Sequence, residues 1–223
     1  MGVRASRFWK SFRDGNWILD VGIGFGWHWL EAGLPGMVLG IDLCLGNLRL
    51  ASRLLQNRRD VVLVLADVAA LPLRDRTITG LWSVQTFQHL PGPALESALR
   101  EVDRAMRDEF QIEVYNLNPS LARRIGYSLK GTTLRRRSAR EHFYMNWLSA
   151  KQWAKVWCKV RAGATTISRG YSELFFHPEV RLRPKPYPVC LEQSIGNYGL
   201  GLAALFARQS YLNIRPSNQA VSS

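Results

Sequence analysis

Residues 17–21 (WILDV) run without a break into three alternating glycines, Gly22, Gly24 and Gly26, and this junction constrains the chain more than any other feature. Glycines placed straight after an apolar strand let the backbone turn tightly and come close to a ligand. A helix starting behind them, expected over Phe25–Ala32, offers free N–H groups at its first turn. The remaining first half repeats the same grammar. Met37–Ile41, Val61–Ala66, Thr79–Val84 and Phe110–Leu117 are short apolar runs that read as strands. Between them, Leu45–Gln56 has apolar residues at helical spacing, and Pro93 opens a helix to about Met106, where its missing N–H costs nothing. The unbroken run VVLVLA at 61–66 suits a parallel strand covered on both faces.

Strand–helix alternation of this kind implies an α/β fold: a parallel sheet with helices on both faces and right-handed crossovers. Ligands of such sheets bind beyond the carboxyl ends of the strands. The second half is less regular. Ser120–Leu129 and Ser149–Val160 read as helices, the latter with a capping box of Ser149 and Gln152. Thr165–Ile167 and Gly199–Ala207 read as two closing strands, and 131–147 and 177–190 as loops. At 223 residues the chain is expected to be one domain. Residues 16–117 would form its glycine-loop half, 118–213 a second half completing the sheet, and 214–223 a tail.

The glycine spacing excludes two common nucleotide loops. The dinucleotide pattern G-x-G-x-x-G would need glycine where Trp27 stands, and no G-x-x-x-x-G-K-[ST] occurs. Cys44, Cys158 and Cys190 are scattered, with no C-x-x-C pair, so neither a zinc site nor a disulfide framework is indicated; no metal is expected, and a reducing cytoplasm is the implied compartment. No run of 18 apolar residues reads as a transmembrane helix.

Asp20-x-Gly22-x-Gly24-x-Gly26 resembles the first motif of the class I S-adenosylmethionine-dependent methyltransferases, and the resemblance continues in order to about residue 117. Gly40-Ile-Asp42 puts an acid at the end of strand two. Ala66-Asp67-Val68 follows strand three, and 81–91 (LWSVQTFQHLP) resembles the strand-four motif; the helix after it is like that of the type 11 subgroup. The resemblance implies a seven-stranded, mostly parallel Rossmann-like sheet whose final strand is antiparallel. It implies S-adenosylmethionine as cofactor, held by Asp20, Gly22, Ile23, Gly24, Gly26 and Leu43, with Asp42 at the ribose. Asp67 and Val68 would take the adenine, and Ser83 and Val84 the methionine end. Thr79 stands where the family commonly has an acid, and Arg107-Asp108-Glu109 where it has Pro-Gly-Gly.

Each of these residues also has a structural alternative. Asp20 can brace the glycine loop, while Asp42 and Asp67 can cap the turns that follow them. His89, the one ionisable side chain in the strand-four motif, is a candidate general base or a buried structural histidine. Gln85, Gln88 and Tyr144 are candidate substrate contacts; His28, Trp27, Trp29 and Trp82 read as packing.

Charge is lopsided. Residues 1–117 carry 13 Lys/Arg and 13 Asp/Glu, whereas 118–223 carry 17 and 4, which is the whole net +13. That asymmetry suggests an anionic partner on the second half, or a solvated Arg-rich face. The expected acceptor is a small or lipid- or sugar-linked anion methylated on O or N. RNA comes second, and a binding protein that keeps the fold without the activity third. A basic helix near 120–137 is a candidate peripheral membrane contact.

Overall fold

The computed structural model describes residues 8–12, 15–30, 36–120, 144–160, 165–172, 205, 207 and 209–217. The first four strands are β1 (Trp17–Val21), β2 (Met37–Asp42), β3 (Val61–Leu65) and β4 (Ile78–Val84). They are followed by β5 (Met106–Leu117), β6 (Thr165–Ser172) and β7 (Gln209–Pro216). They form one seven-stranded sheet in the order β3-β2-β1-β4-β5-β7-β6. β1 to β5 pair in parallel, and β7 runs antiparallel to both β5 and β6. The expected α/β sheet with one antiparallel strand is what forms.

Strand alternation splits the core into two layers. On one face Leu19, Val21, Leu39, Ile41, Leu81, Ile112 and Val114 pack against helix α2 (Gly92–Ala105) and helix α3 (Ala150–Val160), through Leu95, Leu99, Val102, Trp153 and Trp157. On the other, Ile18, Val38, Trp82 and Tyr115 pack against helix α1 (Leu45–Leu54), Trp29 and the N-terminal Phe8 and Trp9. The capping box at α3 is present: Gln152 Oε1 accepts the Ser149 N–H at 2.9 Å, and the Gln152 N–H reaches Ser149 Oγ at 3.4 Å. Thr79, in place of an acid, still ties β4 to β1 by donating to the Trp17 carbonyl at 3.1 Å.

Four expectations need correction. The helix over Phe25–Ala32 is, within the described residues, a single 3₁₀ turn at Trp27–Trp29, because Gly26 still has a left-handed φ of 65° and delays the helical conformation. β3 is not covered on both faces. It is the sheet's edge, with Val62 and Leu65 exposed. The last strand among the described residues is Gln209–Pro216, which carries the sheet past residue 213; of the strand expected over Gly199–Ala207 only Leu205 and Ala207 are described, and neither is in a strand. Finally, β5 starts at Met106, directly off α2, so Arg107, Asp108 and Glu109 lie in the strand instead of a turn. The helix expected over Ser120–Leu129, the loop 177–190 and the basic helix near 120–137 lie outside the described residues, Ser120 apart.

Candidate active site

Sheet order turns a list of motifs into a place. Strand order reverses between the parallel neighbours β1 and β4, and a crevice opens at such a switch point outside the carboxyl ends of the strands. Four segments reach that edge side by side: the turn after β3 with Asp67, the end of β2 with Asp42, the glycine loop after β1, and residues 85–90 after β4.

The glycine loop is pinned from below. The N–H groups of Gly22 and Ile23 both donate to the Ile41 carbonyl, at 2.9 and 3.0 Å. Gly22 (φ 70°) lies against Thr86, so close that a Cβ there would sit 2.0 Å from Thr86 Oγ1. Gly24 (φ 56°) is the opposite case: a Cβ would meet nothing within 4 Å, so this glycine faces open space. Its N–H donates to Asp42 Oδ2 at 3.0 Å.

Asp42 is half-buried and oriented from three sides. Besides the Gly24 N–H, its Oδ1 accepts the Cys44 N–H at 2.8 Å, and Asn47 Nδ2 lies 3.3 Å from both oxygens. It therefore both opens α1 and presents a fixed carboxylate to the loop. Leu43 beside it is 72% exposed, an apolar side chain standing in water at the crevice. Asp67 is exposed, and its Oδ1 closes its own turn by accepting the Ala69 N–H at 2.8 Å. Val68 is buried under it.

Three residues expected at the cofactor point their side chains elsewhere. Asp20 is fully buried; its Oδ2 accepts from His28 Nε2 at 2.8 Å and Trp29 Nε1 at 2.6 Å, so it braces the 3₁₀ turn. Its Oδ1 is buried without a partner among the described residues. Ile23 is core, packed under Gly40. Ser83 is buried and donates to the Val21 carbonyl at 3.0 Å inside the sheet. Alternation along a strand sets these directions. Val84, at the strand's end, is half-buried.

The segment after β4 is unusual. Gln85 holds a left-handed φ of 59°, rare for a side-chain-bearing residue, with its N–H fixed on the Tyr115 carbonyl at 2.7 Å. Gln88 is buried. Its Oε1 accepts the Leu117 N–H at 2.6 Å, which leaves its amide N–H to face His89 Nε2 at 3.2 Å. His89 Nε2 must then accept, so the proton sits on Nδ1 and is donated to the Tyr144 carbonyl at 3.1 Å. Asn146 completes the clasp: its N–H reaches the Gln88 carbonyl at 2.5 Å and its Nδ2 the Leu90 carbonyl at 2.6 Å, while the exposed Tyr144 hydroxyl donates to its Oδ1 at 2.9 Å. His89, Gln88 and Tyr144 come together as a clip fastening residues 144–146 over the strand-four loop. Thr86, Asn47 and Asn146 were not singled out by the sequence. Thr86 and Asn47 lie inside or beside the motifs, whereas nothing local marks Asn146.

Burial holds the His89 imidazole below its ordinary 6.5, against a smaller opposing pull from the Tyr144 carbonyl. Below about pH 6.5 the unfolded chain therefore takes up a proton that the folded chain resists, and stability falls as pH falls through that range. Thermal melts between pH 7.5 and 5.5 should show this decline, and His89→Asn should make the curve flatter. An unchanged slope in the variant would remove His89 from the account.

With this geometry in place, comparison with known proteins is informative. Residues 19–109 match the family described as methyltransferase domain. That stretch, under half of the chain, is similar to a methyltransferase domain. The match ends within β5 and contains every residue expected at the cofactor. A search of curated protein sequences gives no match. Among solved structures, a SAM-dependent methyltransferase from Archaeoglobus fulgidus superposes with a TM-score of 0.62 at 17% identity, covering 96% of this chain and 92% of that one. Phosphoethanolamine N-methyltransferase 2 of Haemonchus contortus, with S-adenosyl-L-methionine, gives 0.64 at 15% identity over 98% of this chain and 52% of that one. The [4+2]-cyclase SpnF gives 0.67 at 16% identity over 96% and 80%. At these identities the likeness is one of fold. The crevice presents an open backbone at Gly24, a fixed two-oxygen carboxylate at Asp42 and an apolar Leu43 beside it.

Proposed function

We propose that this chain transfers a methyl group from S-adenosylmethionine to an O or N atom of a small or lipid- or sugar-linked anionic acceptor. The observation that carries the reading is the pairing of Gly24 with Asp42, a glycine with empty space before it and a carboxylate held within 3.0 Å of its N–H. Asp42 would take the ribose hydroxyls, since two accepting oxygens suit a diol. Asp67 and Leu43 would hold the adenine. Asp20 acts through the loop it braces. When bound, the cofactor would supply a methyl activated on a sulfonium: an acceptor O or N lone pair would bond to the methyl carbon as its C–S bond breaks, S-adenosylhomocysteine would leave, and the acceptor's proton would pass to bulk solvent. The protein's contribution is then to align the acceptor and exclude water.

The clip of His89, Gln88 and Asn146 forms the acceptor side. With both ring nitrogens engaged, His89 positions this wall; it presents no free lone pair for a base. The anionic acceptor is supported by the +13 charge of the second half. It is also supported by the phosphoethanolamine methyltransferase, whose named substrate is a phosphate ester. The exposed free thiols of Cys44 and Cys158 suit a reducing cytoplasm. A second reading has one observation behind it: a cyclase shares this fold, so the crevice can serve chemistry other than methyl transfer.

Calorimetry with S-adenosylmethionine and S-adenosylhomocysteine tests the reading. Micromolar binding is expected, and Asp42→Ala should abolish it. Gly24→Ala is sharper. In the fold its Cβ meets nothing, so the variant should lose only about 1–2 kcal/mol of stability, the cost of a left-handed alanine. Its cofactor affinity should nevertheless fall more than tenfold, because the methyl fills the space the ligand needs. Full affinity in Gly24→Ala, or no binding by folded wild type, would sink the proposal. Binding without transfer to phosphorylated acceptors would favour the second reading.

A further inference from the structure

Large apolar side chains left in water are concentrated on one side of this molecule. Of the eleven among the described residues, nine lie between Phe25 and Leu65. Leu43 belongs to the crevice, but others lie away from it on the outer face of α1 and the tip of the loop after β1. On α1, Leu50 and Leu54 are one helical turn apart, and so are Arg49 and Arg53; all four are exposed on the side opposite the buried Leu48 and Ala51. Trp27 and Leu30 continue this surface, 51% and 45% exposed. Two contacts join them to the end of α1: Gly26 packs on Leu55, and the Arg58 guanidinium donates to the Trp29 carbonyl at 2.5 Å and the Leu30 carbonyl at 3.5 Å. Of the eight tryptophans, Trp27 alone is exposed, turned outward while its neighbours His28 and Trp29 are taken inward by Asp20.

The unpaired charge on this face is positive. Between Asp42 and Asp60 the chain has four arginines and no acidic residue; Arg58 is ion-paired with Asp60 at 2.8 Å, whereas neither Arg49 nor Arg53 has a carboxylate partner among the described residues. Protein interfaces deplete charge at their apolar centre. Here arginines alternate with leucines, and a tryptophan stands at the rim. That mixture fits the boundary of an anionic bilayer, where leucines enter the acyl region, arginines meet phosphates and indole rings sit at the headgroups.

We propose that the outer face of α1, with Trp27 and Leu30, docks this protein onto an anionic lipid surface. The docking face flanks the glycine loop, so the crevice would open beside the membrane. No helix of the described residues is long and apolar enough to cross a bilayer, and the contact would be peripheral. The proposal does not depend on methyl transfer, and its test needs no cofactor.

The test is flotation of the full chain with vesicles of phosphatidylcholine alone and of phosphatidylcholine with about a third phosphatidylglycerol. Binding is expected to the anionic vesicles and to fall with salt. Two arginine charges near the surface contribute about 1 kcal/mol each, so Arg49→Gln/Arg53→Gln should weaken binding by about tenfold or more. Leu50→Glu/Leu54→Glu should do at least as much, with unchanged melting of both double variants. Brominated acyl chains should quench the fluorescence, and Trp27→Phe should remove that quenching. Absence of binding by folded wild type would overturn the proposal, as would binding untouched by both double variants. A wild-type dimer that Leu54→Glu dissociates would assign the face to a second copy, and tighter capture of single-stranded RNA through the same arginines would assign it to nucleic acid. Either result also overturns the lipid reading.

Discussion

Gly22→Ala should cripple the cofactor loop, and Thr86→Ala should partly restore it. Two costs add at this position. A side chain at φ 70° is left-handed, which costs about 1–2 kcal/mol for an L-residue. The new Cβ would also lie 2.0 Å from Thr86 Oγ1, 2.6 Å from its Cγ2 and 2.8 Å from its Cβ, so something must move. Overpacking of this kind costs about 1–3 kcal/mol. Together the loss is about 2–5 kcal/mol, and at about 2–4 °C per kcal/mol for a chain of this size the melting temperature should drop by about 4–20 °C. Thr86→Ala deletes the two nearest atoms and leaves the third, so the double variant should recover much of the steric part and none of the backbone part. A coupling of at least about 1 kcal/mol between the substitutions is expected. Additive effects in denaturant titrations would mean that the loops after β1 and β4 do not touch as described. The contrast with Gly24→Ala is the useful one. Both substitutions strain the backbone alike, but only Gly22 has a neighbour in the folded protein, so stability and affinity should separate between the two.

The order of elements was readable in the sequence because the strands are dense apolar runs with sharp ends, such as WILDV, MVLGI and TGLWSV. The motif order then placed Asp42, Asp67 and the glycine loop at one edge, and the sheet puts them there. What could not be read was set by neighbours far along the chain. VVLVLA looks like a central strand, yet it is the sheet edge, because only β2 comes to lie beside it. The closing strand QSYLNIRP buries Leu212 and Ile214 against α3 and β5 and has few other apolar residues. The more apolar LGLAALFA just before it therefore looked the better strand. Side-chain direction was the other blind spot. A motif gives the position of Asp20 and Ser83, but pleat direction decides that both face inward. The His89 clip depends on Asn146, 57 residues downstream and outside every motif.

Asp20→Ala should be the most damaging substitution in the brace, and a companion variant tells whether Asp20 touches the cofactor. The carboxylate is completely buried and takes two N–H groups, from His28 at 2.8 Å and Trp29 at 2.6 Å, on one oxygen. Removing it leaves both donors buried in an aromatic cluster with Trp82 and Trp9. At about 1–3 kcal/mol for each stranded group, the expected loss is about 3 kcal/mol or more, and melting should fall by about 6–12 °C. Asp20→Asn keeps an accepting oxygen for one or both donors and should cost less. His28→Leu removes one donor and leaves the carboxylate in place. If Asp20 acts only as a brace, Asp20→Asn and His28→Leu should weaken S-adenosylmethionine binding to a similar, modest degree, because both act through the position of the 3₁₀ turn. If its unpartnered Oδ1 serves the ligand, Asp20→Asn should lose far more affinity than His28→Leu at equal fractions folded. The geometry favours the first outcome: the oxygen lies inside the molecule, and the parts of the loop that meet open space are the backbone at Gly24 and the carboxylate of Asp42 facing it.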